Sequence, residues 1–166
     1  MSETQSEDRA DEVANLLVRV YEIHEVIITE TGGLPGLREA TLLHSAVARP
    51  FATFGGQEFY LTDFEKAGAL FHSLIKSHPF MDGTKRTAFA AALFFLESCG
   101  HSLPEQFPLN EVIDFCVSMA EENLRQSQGE NITPRTIPEI ADWFQKLLGV
   151  SEPTAEAGNG ECPTEE

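Results

Sequence analysis

The consecutive residues His78-Pro79-Phe80-Met81-Asp82-Gly83-Thr84-Lys85-Arg86-Thr87 set one imidazole, one carboxylate and two cations directly ahead of the apolar run Ala88 to Leu96. Phosphate chemistry can use each of these parts. His78 has a reference pKa of about 6.5, close enough to neutrality to take a proton from a hydroxyl. Asp82 follows four residues later, where it can hold a Mg²⁺ that bridges phosphate oxygens. Gly83 allows positive φ and close approach of a ligand to the backbone. Beyond it a helix starts, and its first amides have no intrahelical acceptor and lie at the positive end of the dipole. Lys85 and Arg86 add full charge there, one as a point and the other as a planar fork. Gly83, Thr84, Lys85, Arg86 and Thr87 are thus the candidate phosphate or nucleotide ligands, with His78 the candidate catalytic base. The spacing reads as a phosphoryl or nucleotidyl transfer site.

Each residue also has a plainer reading. His before Pro and Asp before Gly are common turn formers, and Lys-Arg at a helix start is often a solvated face. The cation pair argues against the plain reading of the whole. Two positive charges in the first turn oppose the helix dipole unless an anion binds between them.

Six helical segments are expected to position this loop. Val13, Leu16, Leu17, Val20, Ile23 and Ile27 recur at helical spacing, so a helix is expected from Asp11 to Ile28, with His24 on or near its apolar face as a core-edge residue. Thr31-Gly32-Gly33 ends it and Pro35-Gly36 turns the chain. A second helix is expected from Glu39 to Ala48, stopping before Pro50. Thr62-Asp63-Phe64-Glu65 is a capping box, and the helix it starts must end near Ser77 because Pro79 biases His78 away from αR. Thr84 to Cys99 is then the central helix, apolar on nearly every side. Asn110 is expected to cap a fifth helix, and Thr136 with Glu139 a sixth that ends before Gly149. Between the second and third helices, Phe51 to Leu61 has four aromatic residues and two adjacent glycines, which suggests a short hairpin or an irregular loop. The fold class is all-α: a compact bundle of about six helices around a buried central one.

The loop resembles the signature of the Fic/Doc family, His-x-Phe-x-Asp/Glu-Gly-Asn, with the Lys-Arg that follows it in the death-on-curing (Doc) branch. Gly32-Gly33-Leu34-Pro35-Gly36-Leu37-Arg38, Leu42 to Pro50, Phe54-Gly55-Gly56 and Glu65-Lys66-Ala67 are similar to Doc-branch sequence in the expected order. Thr84 departs from the family's Asn. Phe89 stands where AMP-transferring relatives carry a second Arg, and Lys85 where they carry Gly. The resemblance implies an Mg-ATP-dependent, kinase-like transferase that moves the γ-phosphoryl group to a Ser or Thr hydroxyl of a protein. It further implies a toxin held by an antitoxin, a translation factor such as elongation factor Tu as target, and a target flap at Phe54, Gly55 and Gly56. Nucleotidyl (AMP) transfer, or a catalytically weakened binding or regulatory protein, are the alternatives.

Composition bounds the rest. The formal charge of −16 includes five acids in residues 151–166 and a net −4 over the first twelve residues, which leaves −7 between them. Binding to nucleic acid by counterion release is therefore disfavoured. Residues 1–12 read as a disordered acidic leader, 13–149 as the domain and 150–166 as a disordered acidic tail. Cys99, Cys116 and Cys162 form neither a zinc site nor a disulfide framework, and the first two read as core thiols. With no signal sequence or membrane span in the pattern, a cytoplasmic protein is expected.

Overall fold

Two reciprocal capping boxes set the frame. Thr62 Oγ1 accepts the Glu65 amide at 3.1 Å while Glu65 accepts the Thr62 amide at 3.1 Å, which starts α3 (Asp63–Ser77). Thr136 and Glu139 do the same for α6 (Ile137–Leu148). Each cap contributes about 0.5–2 kcal/mol. The computed structural model describes residues 3–150. The expected tail from 151 onward, Cys162, Met1 and Ser2 lie outside the described residues.

The remaining helices are α1 (Glu3–Thr31), α2 (Ala40–Ala48), α4 (Thr84–Ser98) and α5 (Leu109–Ser127). A 3₁₀ turn at Arg49–Phe51 leads into a two-stranded antiparallel hairpin, β1 (Thr53–Phe54) and β2 (Gln57–Glu58). The all-α reading holds, with this hairpin the one sheet among the described residues. None of the described helices is long and apolar enough to cross a membrane.

α4 is buried along Thr84, Thr87, Ala88, Ala91, Ala92, Phe95 and Leu96, as the apolar run predicts, and α3 shares the centre with it. Small residues let α3 be surrounded. A Cβ on Gly68 would stand 3.4 Å from the α6 backbone at Ala141 and Ile137, in ordinary van der Waals contact, so α3 and α6 pack closely there. Phe71 of α3 stacks on Phe115 of α5 at 5.6 Å and meets Phe144 of α6 edge-on at 5.5 Å. Burying each such ring is worth about 1.5–3 kcal/mol.

Three local expectations are corrected. α1 begins at Glu3, so the leader expected over residues 1–12 is helical from that point on. Arg9 ties this end of α1 to the hairpin through Thr53 and Glu58. α5 begins at Leu109 after Pro108, so Asn110 lies inside it and does not cap it. Cys116 is buried as expected, whereas Cys99 is exposed at the end of α4.

The hairpin forms because Gly55 (φ 59°) and Gly56 (φ 82°) both supply the positive φ that a two-residue type I′ turn requires. Its position differs from that implied for a flap beside the signature loop. Glu58 is held by Arg9 near the start of α1 at 3.8 Å and by Lys66 near the start of α3 at 3.1 Å. His78 follows the other end of α3, and the helix from Lys66 to Ser77 spans about 17 Å at 1.5 Å per residue. Phe54, Gly55 and Gly56 are thus exposed but at the far end of the bundle from His78.

Candidate active site

The signature loop is built between the end of α3 and the start of α4. His78 closes α3 as its left-handed C-cap (φ 50°, ψ 57°), with its amide on Leu74 O at 3.1 Å. It has the one positive φ outside glycine among the described residues. This conformation throws the imidazole out of the helix line, and the residue is exposed. Pro79 and Phe80 then dive into the protein, while Met81 and Asp82 return to the surface.

A second segment clamps the loop. Arg38 N donates to Pro79 O at 2.7 Å, Met81 N donates to Gly36 O at 3.0 Å, and Leu37 and Phe80 form an antiparallel bridge. The stretch from Gly33 to Arg38, and not the hairpin, is therefore the extended edge that meets the signature loop. Gly33 makes this possible: a Cβ there would lie 2.7 Å from Asp82 Oδ2.

Phe80 is fully buried, and its ring lies on that of His24 from α1. His24 Nδ1 is 3.1 Å from Thr87 Oγ1 in the first turns of α4. His24 is only 1% exposed, and no partner among the described residues meets its Nε2. Burial, the largest cause, holds its pKa below the ordinary value, so the ring is neutral at pH 7. The expectation of a satisfied core-edge histidine is thus corrected to a buried one with an unpaired nitrogen. A polar residue at the i+4 position between Val20 and Ile28 on the core stripe was the signal.

At the head of α4, Gly83 is the left-handed N-cap (φ 73°) and its amide donates to Asp82 Oδ1 at 2.6 Å. That bond above all holds the exposed Asp82 carboxyl below its ordinary range, helped by the Leu34 amide and by Arg86 and Lys85. Asp82 is ionised at neutral pH. The amides of Thr84, Lys85 and Arg86 precede the first intrahelical bond, from Thr87 N to Gly83 O at 2.9 Å.

Not every expected ligand faces the same way. Lys85 is exposed and has no ion pair among the described residues. Arg86 is tethered instead, donating to the Thr31 hydroxyl and, at 3.2 Å, to Gly32 O, with Asp82 Oδ1 at 3.7 Å. It neutralises the carbonyl end of α1 as well as bordering the site. Thr87, expected among the phosphate ligands, is fully buried with its amide and hydroxyl both engaged inside the protein. Thr84 Oγ1 is buried with no hydrogen-bond partner among the described residues.

His78 is held neutral. Partial desolvation of the ring is the largest cause, then the positive charges of Arg38 and Lys85, against a smaller opposing effect of Asp82. A neutral imidazole, an ionised carboxylate and free amides at a helix start are what removal of a hydroxyl proton beside a phosphate needs. Among the described residues no three His, Cys, Asp or Glu side chains cluster as a metal cage. One exposed carboxylate still suits Mg²⁺, which keeps most of its water and binds through one or two carboxylates plus substrate phosphates.

A family model described as the Fic/DOC family matches residues 17–96, which hold α1 from its middle, the clamp, the signature loop and α4. The chain is also 42% identical over 89 residues to the Toxin Doc of Mycolicibacterium smegmatis, covering 54% of this chain and 68% of that protein. This chain belongs to the Fic/DOC family. A second relative, the Protein kinase doc of Escherichia phage P1, is 28% identical over 131 residues, covering 78% of this chain and 91% of that protein. Within the Fic/DOC fold of this chain, the signature loop is the segment where chemistry-bearing side chains converge. Phe89, on α4, packs among Phe107, Trp143 and Phe144.

Proposed function

We propose that this protein is a Doc-like toxin that transfers the γ-phosphoryl group of Mg-ATP to a Ser or Thr hydroxyl of a protein. The observation that carries the reading is the neutral, exposed His78 set four residues before an ionised Asp82 at the head of α4. The names of the two relatives, a toxin and a protein kinase, support the class. The aromatic packing of Phe89 favours phosphoryl over nucleotidyl cargo.

In this reaction the target hydroxyl oxygen attacks the γ-phosphorus and the bond from that phosphorus to the β-bridging oxygen breaks, releasing ADP. His78 takes the hydroxyl proton and becomes imidazolium, a role worth about 10² to 10⁴ in rate. Lys85 and the amides of Thr84 to Arg86 stabilise charge on the phosphate oxygens. Asp82 would hold Mg²⁺, whose charge neutralises the phosphates when bound. The clamp residues Gly36 to Arg38 keep the loop in register. In the cell, a cytoplasmic antitoxin would restrain this activity, and elongation factor Tu is the target to test first.

Incubation of the protein and that target with ATP labelled at the γ or α position tests the reading. Label from the γ position should reach the target and label from the α position should not. The reverse result would assign nucleotidyl transfer. Nucleotide binding with neither label transferred would favour a binding or regulatory protein, a reading to which the buried, unpartnered Thr84 hydroxyl lends weight.

A further inference from the structure

Arg38 belongs to the clamp by its backbone, and its side chain is unaccounted for. Its amide donates to Pro79 O at 2.7 Å, one residue after His78, so the side chain leaves the chain at the rim of the site. The other arginines are engaged: Arg9 with Thr53 and Glu58, Arg19 with Glu22, Arg49 with Tyr60, Arg86 with Thr31, Arg125 with Glu130 and Arg135 with Glu122. Among the described residues Arg38 is the one arginine whose guanidinium has neither a hydrogen bond nor an ion pair. The adjoining acid does not quench it, because Glu39 accepts a hydrogen bond from the Thr41 hydroxyl. With 27 acids in the chain, an exposed arginine left unpaired is unusual. The positive charges of Arg38 and Lys85 both bear on His78, and gathering two such cations about one group is electrostatically unfavourable until an anion enters.

We propose that Arg38 is a third cation of the anion site, contacting the polyphosphate from the clamp side while Lys85 and the α4 amides contact it from the helix side. The inference rests on the reading above that this site receives a polyphosphate. An arginine suits the role because its planar fork offers two parallel N–H donors to one phosphate, where a lysine offers a point charge. Its charge also reaches His78: after burial, Arg38 is the strongest influence that keeps the imidazole neutral. One residue thus ties occupancy of the anion site to the state of the base. When an anion neutralises Arg38, His78 becomes a stronger base.

Calorimetric titration with ATP and with inorganic tripolyphosphate, both in Mg²⁺, tests this on the full chain. Arg38→Gln should weaken both anions at least tenfold and Arg38→Lys by less. Lys146→Gln, which removes an exposed charge in the last turn of α6, should change either by less than twofold. Thermal midpoints should be equal for wild type and Arg38→Gln, since the side chain holds nothing in place. An NMR titration of the His78 Cε1 proton should move to higher pH in Arg38→Gln and stay put in Lys146→Gln. Unchanged affinity for both anions in Arg38→Gln would overturn the proposal, and target labelling by the wild type would leave the transferase reading standing. Loss of anion binding in Arg38→Gln with no labelling by the wild type would do the opposite. Failure of the wild type to bind either anion would remove both.

Discussion

The ring of His24 lies flat on the ring of Phe80, with centroids 3.9 Å apart and planes 15° from parallel. It joins the middle of α1 to the signature loop across more than fifty residues of sequence. A Cβ on Gly83 would come within 3.7 Å of His24 Cε1, and Thr87 Oγ1 meets its Nδ1. The same ring therefore touches the loop at Phe80 and the first turns of α4 at Thr87, and it lies close beside the N-cap. Asp82, Lys85 and the free amides are carried by those three parts, so their positions depend on a histidine that never reaches solvent.

That burial has a pH consequence. His24 has a folded-state pKa below its ordinary 6.5, so on acidification the unfolded chain takes up a proton before the native one does. Stability should therefore fall as pH drops below about 6.5, and the loss should stop growing once the folded-state value is passed. His72 and His78 act in the same direction. Asp82 and Glu139, whose carboxyls are held down, lose their contribution only at lower pH. Urea midpoints from pH 7.5 to 5 should decline in the wild type and decline less steeply in His24→Gln. Equal slopes would show that the ring is not the buried neutral group described.

His78 is a strained residue in an exposed place. A non-glycine residue in the left-handed region costs about 1–2 kcal/mol, and a helix C-cap of this kind ordinarily favours glycine. His78→Gly should therefore retain or raise the thermal midpoint while abolishing target labelling and growth arrest. Strain kept at a position where glycine would fit better is a sign of chemical need. Persistent toxicity at equal expression would remove His78 from the mechanism.

Gly33 and Gly36 separate backbone strain from steric contact. Both have positive φ, 130° and 102°, but a Cβ meets Asp82 Oδ2 at 2.7 Å in the first and nothing within 4 Å in the second. Alanine at either position carries the backbone penalty, while only Gly33→Ala displaces the carboxylate. Mg-ATP affinity should drop on the order of tenfold in Gly33→Ala, about 1.4 kcal/mol, and stay near wild type in Gly36→Ala. Equal affinities in the two would mean that Asp82 does not hold the metal.

What could be read in the sequence was local. The capping boxes at Thr62 and Thr136, the stop before Pro79 and the apolar run of α4 are written within a few residues, and each lies where expected. What could not be read depends on pairing at a distance. The Leu37 to Phe80 bridge sets the clamp, and no periodicity in either segment announces it. The same holds for the inward turn of Thr87, which follows from where α1 happens to place His24. The hairpin was legible as a hairpin from Gly55-Gly56, but its place was not, because the Arg9 and Lys66 contacts that anchor it are tertiary. The early start of α1 belongs with these.

Thr84 departs from the family signature, and its surroundings make a sharp test. The residue is 3% exposed, and its hydroxyl has no partner among the described residues and does not cap α4, whose N-cap is Gly83. A buried hydroxyl without a hydrogen bond costs about 1–3 kcal/mol. Thr84→Val keeps the shape and removes that hydroxyl, so the free protein should become more stable by about 1 kcal/mol or more. If the hydroxyl waits for a phosphate oxygen, the same variant should bind ATP more weakly, and the stability gain should shrink when ATP saturates the wild type. Thr84→Asn supplies the amide usual at this position. In a site that is active but loosely set, it should raise turnover by about tenfold, equal to about 1.4 kcal/mol of barrier. Denaturation with and without Mg-ATP, together with the labelling rate, measures all three. A Thr84→Val protein that is more stable and binds ATP as the wild type does would free the hydroxyl of any ligand role. A Thr84→Asn protein as slow as its parent would show that position 84 does not limit the reaction.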